Sequence, residues 1–331
     1  MTPTDPMPTV AITDYAFPDL TFEEAVLRPA GVEILASKER PDPAALAALV
    51  RDADAVIAQF APVDAAAVAA MSRAKAIVRY GIGYDNVDIE AARARGIPVC
   101  NIPDYCVDEV ADHTLAFMLA TTRQVVANAV HVRAGGWGLA SPLGSMRSLS
   151  ELTVGLVGFG RIGREVARRL APFKPRVLVF DPALDPGRIR AEGPEPVASL
   201  GELLARSDIV SPHCPSLPAT RRMFNAAAFA AMRPGAVFIN VGRGDLADSG
   251  ALTAALQSGH LAGAALDVFD PEPIPAGHPI LSLPNVILAS HIASASPVAV
   301  RTLRETAARL ALMAIRGEAL PNVVNGVGRS S

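Results

Sequence analysis

Apolar and polar positions follow one another along this chain in a repeating order. Short apolar runs at 10–14, 32–37, 55–60, 76–80 and 99–101 read as strands, and alanine-rich stretches near 22–30, 43–53, 63–71 and 88–95 between them read as helices. Such alternation predicts βα units joined in a mainly parallel sheet. A long helical pattern spans 107–129, and the glycine-rich segment RAGGWGLASPLGSMRSLS after it has no clean period and reads as a linker or extended arm. From residue 152 the alternation restarts, with strands at 152–157, 176–180, 209–213, 236–240, 264–267 and 286–288. A final helix is expected over 297–316, and periodicity leaves open which half it packs on. Two successive doubly wound α/β sheets are the expected architecture.

Composition narrows the class. With 331 residues, half of them hydrophobic and 19% charged, the chain is long enough for two folded domains, and its apolar runs are broken well short of a membrane span. The formal net charge of -3 arises from scattered charges of both signs without a basic block, so neither nucleic acid nor a membrane is an expected partner. Cys100, Cys106 and Cys214 form no CxxC or Cys/His spacing, so no metal site and no disulfide framework are expected. The N-terminal stretch MTPTDPMPTVAITD has acid and proline where a signal peptide needs a basic patch and an apolar run, which reads as cytoplasmic.

The stretch VGLVGFGRIGREVARRL contains Gly158-x-Gly160-x-x-Gly163. Alone, that string serves a dinucleotide, another phosphate ligand, or a tight strand-to-helix turn. Its context favours the dinucleotide. An apolar strand delivers it, a helix is expected to begin at the third glycine, and Asp181 follows Gly163 by eighteen residues at the end of the next strand. Free N–H groups around Arg161 and Ile162 would face the pyrophosphate. A carboxylate at 181 accepts ribose hydroxyls and repels a 2′-phosphate, so NAD is favoured over NADP.

Three later stretches carry chemistry suited to hydride transfer to a 2-oxo acid: NVGRGDL with Arg243, LDVFDPEP with Glu272, and ASHIA with His291. Each falls after a predicted strand, where open α/β sheets collect ligands. Arginine supplies a planar, permanent charge for a carboxylate. Histidine suits a proton donor that must also act as base, and a glutamate beside it favours the imidazolium.

Together with YGIGYDNVD, PDYCVDEVADHTLAFMLA, HCPSLPATRRMFN and MRPGAVFINVGRGDL, these stretches resemble the D-isomer-specific 2-hydroxyacid dehydrogenase family over nearly the whole chain. The wording is closest to the C-terminal-binding-protein-like and phosphoglycerate-dehydrogenase-like branches. The resemblance implies a flavodoxin-like substrate domain (1–105 plus 297–331) and a Rossmann NAD-binding domain (106–296), with a dimerisation arm at about 120–150. It implies that Arg243 orients the substrate, that His291 is the acid/base with Glu272 as partner, and that the backbone of Gly81, Ile82 and Gly83 receives the carboxylate. For the cofactor it implies Gly158, Gly160, Arg161, Ile162, Gly163 and Asp181, with Pro215, Thr220 and Val241 lining the site and Asp267 near the nicotinamide amide. A homodimer reducing a 2-oxo acid with NADH is the leading function, and an NAD(H)-sensing corepressor-like binding protein is the alternative. An adenosyl-ligand protein would explain the glycine string but leave the later trio idle.

After His291 the chain reads IASASPVAV, without the aromatic residue usual in the corepressor-like branch. No basic residue stands in sequence near Gln59 and Phe60, which favours a small or apolar oxo acid over a phosphorylated one. His113 reads as a hydrogen-bonded interior or hinge residue, and His131, His260 and His278 as surface residues. His213 is placed near the cofactor without chemistry, Arg79 as a cleft cation or salt-bridge partner, and Trp137 at a subunit contact.

Overall fold

A computed structural model describes residues 7–328; the first six residues of the acidic N-terminal stretch, and the chain's last three, lie outside the described residues. The chain divides into two compact units, residues 1–105 with 296–331 and residues 106–295. Each has its own parallel sheet.

Unit 1 runs β1 (Thr9–Ile12), α1 (Thr21–Leu27), β2 (Glu33–Ala36), α2 (Pro43–Val50), β3 (Ala55–Ala58), α3 (Ala65–Ala70), β4 (Ile77–Arg79), α4 (Ile89–Ala94) and β5 (Val99–Cys100). All pairings are parallel, in the order β2-β1-β3-β4-β5, the flavodoxin-like arrangement. Successive strand residues point to opposite faces. Val10, Ile12, Ile57, Val78 and Tyr80 pack on one side, and Ala11, Val56, Ala58 and Ile77 on the other. Asp42, Asp64 and Asp88 cap α2, α3 and α4 by accepting backbone N–H groups.

Unit 2 contains α5 (Val107–Thr122), α6 (Val125–Arg133), β6 (Thr153–Val157), α7 (Arg161–Leu170), β7 (Arg176–Phe180), α8 (Pro186–Ala191), β8 (Glu195–Pro196), α9 (Leu200–Arg206), β9 (Ile209–Pro212), α10 (Ala226–Ala231), β10 (Ala236–Asn240), α11 (Ser249–Gln257), β11 (Leu261–Leu266) and β12 (Val286–Leu288). Its sheet has the order β12-β11-β10-β9-β6-β7-β8, the dinucleotide-fold order with a seventh strand added. Phe224, Phe229, Phe238, Leu252 and Leu266 fill the core on one side. The continuous helix expected over 107–129 is instead two helices, because Gln124 adopts a left-handed φ of 54°. Strand β11 starts at Leu261, ahead of the expected 264, and the two-residue β8 carries no pattern to read.

Helix α12 (Pro297–Arg316) returns to unit 1, where Leu303, Ala307, Ala308 and Ala311 join Val10, Ile57 and Val78 in one core. No helix among the described residues is long and apolar enough to cross a membrane.

Candidate active site

The glycine loop leaves β6 and turns into α7. Helix α7 begins at Arg161 with Gly160 as its N-cap, two residues earlier than a start at the third glycine. Gly158 has φ +95° and lies against the backbone of His213 and Cys214, so a side chain there is both strained and blocked. A Cβ on Gly163 would stand 2.4 Å from the Gly158 carbonyl oxygen, whereas one on Gly160 would meet nothing within 4 Å. The loop is therefore closed on its protein side and open where backbone must approach a ligand. The first N–H groups of α7 have no partner within the helix and, with its dipole, suit a pyrophosphate. At the end of β7, Asp181 Oδ2 accepts the Phe159 N–H at 2.8 Å and Oδ1 accepts the Ala183 N–H at 2.9 Å. These bonds fix the carboxylate and leave each oxygen a further lone pair for ribose hydroxyls. The residues present thus fit a dinucleotide.

After β9, the Thr220 hydroxyl donates to the Pro215 carbonyl at 2.7 Å and accepts the Leu217 N–H at 2.8 Å, which folds that loop on itself. Val241 is buried directly after β10. His213 bonds Ser211 through Nε2 at 3.0 Å, and burial pushes its imidazole down to about 4, so it is neutral and not a proton donor at neutral pH.

The catalytic candidates occupy loops after β10, β11 and β12. Asn240 bridges the Arg243 loop, its amide donating to the Arg243 carbonyl and its oxygen accepting the Gly242 N–H. Gly244 is packed so closely on the Phe269 backbone that a Cβ would lie 2.0 Å from it, which docks the Arg243 loop on the segment carrying Glu272. Glu272 Oε1 accepts the Phe269 N–H at 2.9 Å, and Oε2 lies 2.8 Å from His291 Nδ1. An ionised carboxylate only accepts, so Nδ1 carries a proton toward Glu272. Burial acts to raise the Glu272 carboxyl. The hydrogen bond and charge of His291, the Phe269 N–H and the charge of Arg243 outweigh it, and the carboxyl lies below its ordinary value.

His291 has φ 56°, a strained conformation for a non-glycine residue. Asp267 holds it there. The Asp267 carbonyl accepts the His291 N–H at 2.7 Å, and its two side-chain oxygens accept the N–H groups of Ile292 and Ala293, each at 2.8 Å. Asp267 is fully buried in that task, a role its sequence context does not reveal.

In unit 1, Gly81, Ile82 and Gly83 follow β4. The Gly81 N–H is donated to the Arg79 carbonyl at 2.8 Å, so the N–H groups of Ile82 and Gly83 are the ones left for an anion. Asn101 donates to the Ile82 carbonyl at 2.7 Å and Ile102 to that of Gly81, which steadies the loop from behind. The Arg79 guanidinium is buried against Gly81 and donates to the Tyr80 carbonyl. His113 departs from a hydrogen-bonded interior residue: its ring meets Phe117 edge-on at 4.3 Å, and its Nε2 is buried without a hydrogen-bond partner among the described residues. No group of three or more His, Cys, Asp or Glu among the described residues is placed to hold a metal.

Residues 115–293 match the family model for the D-isomer specific 2-hydroxyacid dehydrogenase, NAD binding domain. The chain is 38% identical over 286 residues to the D-3-phosphoglycerate dehydrogenase of Mycobacterium tuberculosis, covering 86% of this chain and 53% of that protein. It thus spans about half the length of that relative. It is also 38% identical over 279 residues to the glyoxylate reductase of Korarchaeum cryptofilum, covering 83% of this chain and 84% of the relative. Among solved structures, the NADPH-dependent glyoxylate/hydroxypyruvate reductase of Sinorhizobium meliloti, in complex with NADP and malonate, aligns with a TM-score of 0.85 and 33% identity over 98% of this chain and 99% of that one.

Proposed function

The chain belongs to the D-isomer-specific 2-hydroxyacid dehydrogenase family, and from that premise we propose that it is an NAD-dependent reductase interconverting a 2-oxo acid and a D-2-hydroxy acid. The observation that carries this reading is the 2.8 Å pairing of His291 Nδ1 with Glu272 on a loop docked against that of Arg243. Ligand sensing alone has no use for a proton donor held in one tautomer by a carboxylate, so turnover is favoured over a corepressor-like role.

Bound reduced nicotinamide supplies the hydride. The pyrophosphate falls to Gly158, Gly160, Gly163 and the N–H groups of Arg161 and Ile162, and the adenosine ribose to Asp181, whose charge selects NAD over NADP. Pro215, Thr220 and Val241 line the remainder. The backbone N–H groups of Ile82 and Gly83 receive the substrate carboxylate, and Arg243 holds carboxylate and carbonyl oxygens in the plane that a guanidinium imposes. His291 Nε2 gives its proton to the carbonyl oxygen as that oxygen becomes an alkoxide, and takes it back in the reverse direction. Glu272 stabilises the imidazolium, and Asp267 keeps the ring in position through the backbone.

Glyoxylate and hydroxypyruvate, the oxo acids named for similar proteins, are the first substrates to assay. His291→Gln is expected to lower turnover by roughly 10²- to 10⁴-fold with the fold intact. A fully active variant, read as loss of NADH absorbance, would overturn the assignment. The same reading makes the protein a cytoplasmic homodimer, with α6 and the segment after it at the subunit contact.

A further inference from the structure

The loops leaving the C-terminal ends of the unit 1 strands carry two cations whose place beside Tyr15 and Phe60 the sequence order does not show. Lys38, on the loop after β2, has its Nζ 4.3 Å from the centre of the Tyr15 ring and donates to the Phe17 carbonyl. Arg40, on the same loop, lies 5.2 Å from the centre of the Phe60 ring. Phe60 follows β3, so the stretch that lacks a basic residue in sequence acquires one in space. Among the described residues Arg40 makes no hydrogen bond or ion pair, and Lys38 pairs with no carboxylate.

The acids nearby are engaged elsewhere or stand apart. Asp14 accepts the N–H groups of Gln59, Phe60 and Ala61. Asp19 pairs with Arg304, Asp42 caps α2, and the exposed Glu39 forms no ion pair among the described residues. A ring face positions a cation without neutralising it, and a guanidinium lying over a ring keeps its edge N–H donors free. The platform therefore holds charge ready for an anion.

Its place in the sheet sets what that anion is attached to. Strands run in the order β2-β1-β3-β4, and the Ile82 and Gly83 N–H groups follow β4, the neighbour of β3. Asn86, on the loop that carries Ile82 and Gly83, donates to the Gln59 and Ala61 carbonyls at 3.3 and 2.9 Å, so the residue that positions Arg40 lies beside the loop of the proposed carboxylate receiver. We propose that Lys38 and Arg40 form a second anion subsite, and that the preferred substrate is a 2-oxo acid carrying a carboxylate or a phosphate at its far end. This rests on the dehydrogenase reading above and replaces the small or apolar substrate favoured by the sequence alone.

The test is a comparison of NADH oxidation by the unaltered protein, Arg40→Gln, Lys38→Gln and the double variant. The acids are pyruvate and 2-oxobutanoate with neutral tails, oxaloacetate and 2-oxoglutarate with a second carboxylate, and 3-phosphohydroxypyruvate with a phosphate. The unaltered protein is expected to favour one of the two doubly anionic arms by roughly tenfold or more in kcat/KM, with the preference weakening as salt is added. The double variant should lose roughly tenfold on that arm, mostly in KM, with neutral-tail acids changed by less than about twofold. A preference for neutral tails, or an equal loss on every arm, would overturn the subsite. If neither these acids nor glyoxylate and hydroxypyruvate are reduced, the dehydrogenase reading fails, and the subsite is judged by calorimetric titration with succinate, inorganic phosphate and acetate. Binding of a dianion that disappears in the double variant supports the subsite, and the same heats in both proteins reject it.

Discussion

His291 is held in a backbone conformation that costs a residue with a side chain about 1–2 kcal/mol, and the bonds from Asp267 over-determine it. Its ring is oriented separately, by Glu272. Because Glu272 orients the ring and fixes its tautomer, Glu272→Gln should lower turnover by roughly tenfold or more with the fold intact. An unchanged rate of NADH oxidation would separate the pair. The lowered Glu272 carboxyl also adds stability above its unfolded-state value, which is lost as pH falls through the folded one. The loop positions of Arg243, Glu272 and His291, and the pairing of the last two, were legible in the sequence because each is a distinct chemical type following a strand. The work of Asp267 was not, since its bonds reach residues 25 and 26 positions away and an acid at a strand end reads equally well as a cofactor contact.

Elements are locked together by a buried charged cluster in unit 1. Glu23 of α1 is 0% exposed, and Arg304 of α12 is 3% exposed. Arg304 bonds both Glu23 oxygens, at 2.8 and 2.6 Å, and Tyr80 at the end of β4 donates to the same carboxylate at 2.8 Å. Breaking a buried pair strands the remaining charge, so Arg304→Met should destabilise the protein by about 3–5 kcal/mol. The double variant with Glu23→Met should recover much of that loss. Urea titration of the three proteins checks it, and equal midpoints for the single variant and the parent would remove the cluster from the account. Strand and helix positions were readable because their apolar patterns are local. The pairing of Glu23 with Arg304 was not, because 281 residues separate them and each alone reads as a solvated charge on a helix. The break at Gln124 was equally hidden, since no glycine or proline marks it.

At the scale of the whole molecule, the two parallel sheets follow from the repeated βα pattern, while the order of their strands, which differs between the two, and the partners of the arm do not. Val130, Trp137 and Leu143 are 60%, 92% and 73% exposed on α6 and the segment after it. An apolar run of that kind on a single chain supports the subunit contact proposed above. The protein should sediment as a dimer at micromolar concentration, and Val130→Asp with Trp137→Ser should shift it toward monomer; a double variant that remains dimeric would move the contact elsewhere. Helix α12 has a different consequence, one that concerns the order of synthesis. Unit 2 is a continuous stretch of chain, whereas the core of unit 1 is completed by residues that follow unit 2. On the ribosome the middle of the polypeptide can therefore reach its native form while the beginning still waits, and a message truncated near codon 295 would yield one finished half beside one that lacks its closing helix.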